Sequence, residues 1–279
     1  QFLHWGGHDL TLTGPGDLNN NTLTVNNTAG MITLGGIING TGSLIQNGVG
    51  SALTLSSDNS FSGGVTLTQG MLTLGSDSAL GTGLLTFNGG SLQTNRSIVT
   101  PNNYLLTAAS FIEGVNDLTM SGTGALNAHV LTINNTAGMV TLSGNFSGTG
   151  AIVQTGVGGT LVLSGNNTFN GGVTLTNGTL ILGSDTGLGT GLLTLNGGLL
   201  HVDSEITALN DYALTADAAI GGIHNLTLNG LGNLNANTLT INNTAGVLTL
   251  GGVIEGTGSI IQTGPAGSLA LLGNNTFSG

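Results

Sequence analysis

A chain of 279 residues with one Lys or Arg, twelve Asp or Glu and a formal net charge of −11 has no basic patch to neutralise phosphates, which excludes nucleic acid and anionic membrane surfaces as partners. Zero Cys removes disulfides, thiolate nucleophiles and thiolate zinc sites. Hydrophobic residues make up 38% and charged residues 5%, the opposite of a disordered composition, and no apolar run approaches the roughly 18 residues of a membrane helix.

In chain order, the opening QFLHWGGHDL lacks the charged and apolar regions of a secretory signal, as expected of a mature fragment or a cut-out segment. Short β-like runs follow: LTL at 10–12, LTV at 23–25, MITL at 31–34, SLIQ at 43–46, ALTL at 52–55, VTLT at 65–68, MLTL at 71–74 and LLTF at 84–87. All but SLIQ set Thr against Leu, Val, Ile, Met or Phe, so the apolar side faces inward and Thr outward. Gly- and Asn-rich pieces between the runs are turn formers that tolerate positive φ.

The runs repeat on a larger scale. NNTAG occurs at Asn26, Asn134 and Asn242, and Phe61, Phe169 and Phe277 share the same 108-residue step. Residues 58–92 align with 166–200 without a gap, with 25 identities in 35 positions. Leu10, Met31 and Leu53 are 21 to 22 residues apart, and five such steps fill the unit. The expectation is an all-β fold, a right-handed parallel β-helix or β-solenoid. It has about 21–22 residues per rung, about 13 rungs and a 108-residue super-repeat of five rungs. Residues 1–279 would form one continuous, uncapped solenoid segment of a longer repeat protein or fibre, with copies at approximately 1–108, 109–216 and 217–279. An antiparallel sandwich is the competing architecture, but it gives no reason for a gapless long period.

At 53–93, LTLSSDNSFSGGVTLTQGMLTLGSDSALGTGLLTFNGGSLQ resembles the autotransporter-associated β-strand repeat of bacterial secreted passengers. The matching features are the N-T/S-F-x-G-G turn, the G-x-L-x-L-G strand and the L-G-x-G-x-L-x-x-x-G-G-x-L close; they recur at 161–200, and a third copy starts at 269–279. The resemblance implies a right-handed β-helical passenger exported across a Gram-negative outer membrane. The signal peptide and C-terminal membrane barrel of such proteins would lie outside this segment. The repeat is a structural motif, so it carries no catalytic residues over.

Candidate chemistry is sparse. Asp77 and Asp185 sit in equivalent GSDS and GSDT stretches, where Asp caps its own turn; neither the calcium nonapeptide nor EF-hand spacing is present. Asp203, Glu205 and Asp211 form a loose acidic patch, read as a solvated loop over a weak cation site. A lyase needing a basic residue cannot be built with one Arg and no Lys, and the carboxylates are too scattered for an inverting hydrolase. His4, His8, His129, His201 and His224 do not sit on adjacent rungs, and the middle copy replaces His8 and His224 with Asn116. Thr pairs at Thr11/Thr13, Thr22/Thr24, Thr66/Thr68, Thr174/Thr176 and Thr238/Thr240 skip rungs, against an ice-binding array. The sequons at Asn26, Asn134, Asn166 and Asn242 are read as turns. Trp5 and Arg96 break the pattern and are placed on loops. Most aromatics, such as Phe61 and Phe169, are expected inside.

The expected function is therefore a non-catalytic structural or adhesive rod, or a filament former, extracellular or at a Gram-negative cell surface. No catalytic, cofactor-binding or metal residue is assigned. Partners would be the chain itself, through end-to-end stacking or lateral association, or cell-surface and matrix components, with no nucleic acid and no membrane insertion of this segment. A glycan-binding or glycan-cleaving spike and an ice-binding solenoid are the alternatives.

Overall fold

The computed structural model describes residues 2, 3 and 7–279. Among them there is no helix. Strands of two to six residues wind into a three-faced parallel solenoid. One face is a continuous sheet of thirteen strands, from Leu10–Leu12 to Ile254–Glu255, so twelve turns separate its first strand from its last. At the usual rung spacing of about 4.8 Å that is a stack of about 58 Å.

The other two faces are each interrupted once. One begins as eight strands, from Phe2–Leu3 to Phe146–Ser147, and resumes as four from Ile206–Ala208; the other begins with Gly16–Asp17 and Ile38–Asn39 and resumes as nine from Ile98–Thr100. The gaps are filled by non-strand backbone that still stacks. Ser60 N donates to Ile38 O (2.9 Å) and Thr82 N to Phe61 O (3.0 Å) on one face; Thr168 N donates to Phe146 O and Thr190 N to Phe169 O on the other, both at 2.8 Å.

These gaps show how the 108-residue unit sits on the rod. Val25 and Ile133 are equivalent positions, yet Val25 pairs in the eight-stranded sheet and Ile133 in the thirteen-stranded one. From Val25 the register passes through Gln46, Leu67, Phe87 and the rungs of Leu105 and Ala125, which is five turns. The remaining residues reach the next face. Each unit thus holds five rungs plus one face, and successive copies are turned by a third of a circle. Rungs run from 19 residues, between Ala52 and Met71, to 22, between Leu10 and Ile32. Ile32, rather than Met31, stacks on Leu10, because that rung takes 22 residues and not the 21 that separate Leu10 from Met31. Met31 therefore faces outward and is 43% exposed.

Alternation of side chains does the rest. Ile98, Leu118, Val140, Leu161, Leu180, Leu200, Ile220 and Ile241 follow one another in register, and all are buried. Each contributes about 1.5–3 kcal/mol through burial. Phe61 and Phe169 are buried as expected. The core is not wholly apolar: Gln46 and Gln154 point inward and are fully buried. Gln46 Nε2 donates to Ser51 Oγ at 3.2 Å, and Gln154 Nε2 reaches Gly156 O at 3.3 Å.

Two corner features recur. Asn59 is buried and ties three rungs together: its Oδ1 accepts Ile38 N at 2.9 Å and its Nδ2 donates to Ala79 O at 2.7 Å. Asn167 does the same between Phe146 N (2.8 Å) and Gly187 O (2.7 Å). At the second corner Gly70 has φ +69°, and a Cβ there would collide with Gly48 O on the turn below. Only glycine lets the backbones approach so closely.

Candidate functional site

The carboxylates are part of the scaffold. Asp9, Asp117, Asp211 and Asp217 each accept a backbone N–H from the next turn, from Met31 (2.7 Å), Met139 (2.8 Å), Leu231 (2.7 Å) and Thr238 (2.7 Å). Asp77 and Asp185 do likewise, accepting from Val99 N at 3.0 Å and Thr207 N at 2.8 Å. These two aspartates therefore do not cap their own turns as the sequence suggested; they accept from the turn above. The local turn is held instead by Ser76 and Ser184, whose hydroxyls accept Ser78 N (3.2 Å) and Thr186 N (3.3 Å). A backbone amide left unpaired at a corner is costly, which explains an acceptor side chain there.

The loose acidic patch separates on folding. Asp203 pairs with His201 at 2.9 Å, Glu205 accepts Asn225 Nδ2 at 2.9 Å, and Asp211 holds Leu231 N. Among the described residues no three His, Asp or Glu converge as a metal site would require. His8, His129 and His224 lie on separate turns, and Asn116, the middle-copy counterpart of His8 and His224, donates to Thr94 O at 2.8 Å. His4 and Trp5 lie outside the described residues. Arg96 is exposed at a corner, donating from Nε to Gly75 O (2.9 Å), with Nη2 3.8 Å from Asp77. The outward Thr columns are broken: Thr24 is followed by Ile45, then Thr66, Thr86 and Leu105. Of the sequon residues, Asn134 accepts Thr155 Oγ1 at 3.3 Å, and Asn166 accepts Ser184 Oγ at 3.2 Å.

What the structure adds is a groove on the eight-stranded face, about 600 Å³ in volume. It forms where the strand Gly124–Ala125 is only two residues long. On the inner side Gly124 leaves room for Tyr104 and Phe146, whose rings are 5.1 Å apart; a Cβ at Gly124 would lie 2.6 Å from both. Outside, Ala125 lies between Leu105 and Ser147, so the surface dips. Asn103, Thr123, Asn145, Asn166 and Thr168 line the groove. No charged side chain does.

The amides of that groove are oriented. Asn103 Oδ1 accepts Thr123 N at 2.9 Å and Thr123 Oγ1 at 3.0 Å, Asn145 Oδ1 accepts Asn166 N at 2.9 Å, and Asn166 Oδ1 takes the Ser184 hydroxyl. The carbonyl ends are thus occupied and the NH₂ ends are left to donate outward. The hydroxyls have the opposite polarity. Thr123 Oγ1 donates to Asn103 Oδ1 on the neighbouring turn and Thr168 Oγ1 to Phe146 O at 3.4 Å, so each keeps lone pairs free to accept. The same groove recurs one copy later, at Tyr212, Ala213, Gly232 and Asn233, smaller at about 200 Å³. There Asn103, Thr123, Asn145 and Ser147 are replaced by Asp211, Leu231, Val253 and Glu255. Sequence reasoning missed both, although the 108-residue spacing of Gly124 and Gly232, each beside an aromatic rung, was a usable signal.

Residues 44–74 and 152–182 match the family of the passenger-associated transport repeat; each match spans the turn that contains Asn59 and Phe61, or Asn167 and Phe169. The chain is 32% identical over 279 residues to the adhesin BmaC autotransporter of Brucella suis biovar 1 (strain 1330), an alignment that covers 94% of this chain. It spans 7% of that relative's length. No solved structure matches the chain.

Proposed function

The chain carries passenger-associated transport repeats at two places, and from that premise we propose that it is a segment of an adhesive passenger on the surface of a Gram-negative bacterium. It acts as a stiff, non-catalytic rod whose outer faces meet surface or matrix components. The observation that carries this reading is where the reactive groups go. Six aspartates accept amides from neighbouring turns, and a carboxylate committed in this way is poorly placed to move protons in a substrate. The exterior left over is rich in Thr, Ser and Asn, with single exposed apolar residues such as Val49, Val157 and Leu209 among them. The similar Brucella protein is itself named an adhesin.

Beads coated with the purified chain are expected to adhere to extracellular-matrix or polysaccharide films several-fold better than albumin-coated beads. Equal retention would reject adhesion, and release of reducing ends from the films would reject the non-catalytic reading. Electron microscopy of the same preparation separates isolated rods of about 58 Å from filaments built by self-association.

A further inference from the structure

We propose that the groove around Gly124–Ala125 binds a segment of an uncharged polysaccharide. This rests on the adhesive reading and names what one surface of the rod holds. Asn103, Thr123, Asn145 and Asn166 follow on consecutive turns and span about 14 Å at the ordinary rung spacing, room for several sugar rings. The exposed amides of Asn103, Asn145 and Asn166 have their oxygens engaged and their NH₂ groups left to donate, and they lie beside Thr123 and Thr168 hydroxyls whose protons are already given to Asn103 Oδ1 and Phe146 O. A sugar hydroxyl donates and accepts at once, so it satisfies both kinds of group. Half-buried Leu105 and Ala125, with the 42% exposed Leu84 at the lip, supply apolar surface for the C–H face of a ring.

Charge sets the class of sugar. The groove has no cation to hold a uronate or sulfate, and the chain carries −11 overall, which repels acidic glycans. An extended peptide fits less well. Its N–H groups find acceptors only at the Thr hydroxyls, since the amide oxygens of Asn103, Asn145 and Asn166 already accept from the neighbouring turn, whereas each sugar hydroxyl can turn to meet either an amide or a hydroxyl. The second-copy groove puts Asp211, Leu231, Val253 and Glu255 at the equivalent places, so it lacks these donors and is not expected to bind.

Asn103→Asp with Asn145→Asp tests the assignment. Each Asp keeps the oxygen that accepts the next turn's amide, as Asp211 does for Leu231, and removes the outward NH₂. Titrated with maltoheptaose and with cellohexaose, the full chain is expected to show side-chain amide NMR shifts at Asn103, Asn145 and Asn166 for at least one of the two, and weaker shifts with trigalacturonate. The double variant should bind at least tenfold more weakly while unfolding at the same temperature. Ala125→Trp, which fills the groove from outside, should also abolish binding. Undiminished binding by either variant, no shift with either neutral saccharide, or tighter binding of a Gly-Ser peptide at the same amides would overturn the proposal. If bead adhesion survives where saccharide binding fails, the adhesive function stands and this groove is not its basis.

Discussion

At the residue scale, the side chains that matter are those that reach across a turn. Asn167 accepts Phe146 N and donates to Gly187 O from a buried position. Asn167→Ala leaves both backbone groups unpaired, and at about 1–3 kcal/mol for each buried orphan it should cost about 2–6 kcal/mol in urea unfolding. The tyrosines give a pH dependence. Burial raises the hydroxyl pKa of Tyr104 and Tyr212 above the ordinary 10.0, so the folded chain keeps protons that the unfolded chain releases. Their contribution is fully present below about pH 10 and is lost as pH rises beyond it. Urea midpoints measured at about pH 9 and about pH 11 should therefore fall, and less so for Tyr212→Phe, whose parent hydroxyl has no partner. The sequence located these positions but not their roles. Asn in NSF and NTF read as a turn former, and only the stacked turns show that it spans three of them.

At the element scale, two neighbouring residues test the alternation of a strand. Leu180 is fully buried, while Ile181 lies on the outward column between Val162 and His201. Leu180→Ala should cost about 2–5 kcal/mol, and Ile181→Thr, one residue on, less than about 1 kcal/mol; similar losses at both sites would contradict the register. A second contrast concerns glycine. Gly124→Ala drives a methyl into Tyr104 and Phe146 and should cost about 1–3 kcal/mol, whereas a methyl added at Gly14 would meet nothing within 4 Å, so Ala should be tolerated there. Strand alternation was legible because period two survives in runs as short as LTL. The groove was not, because its lining residues are about 20 apart in sequence and meet only through the register.

At the scale of the whole molecule, the turn of one face per copy changes what the rod presents. With five and one third turns per unit and about 4.8 Å per turn, equivalent sites rise by about 26 Å and move to the next face. Leu84 and Leu192, the equivalent lips of the two grooves, can be labelled as a cysteine pair in a chain that has no other Cys. Spin-label distances should exceed the axial rise, since the labels are on different faces; a distance equal to it would place both on one face. A flat partner lying along such a rod meets a given surface once in three copies.

The sequence alone determined the solenoid and its 108-residue period, since composition and alternation act residue by residue and need no partner. The stack decided the rotation between copies, the cross-turn use of the aspartates and the groove at Gly124. The physical reason is that register sums the lengths of successive corners, each varying by one or two residues, and only backbone pairing between turns fixes that sum.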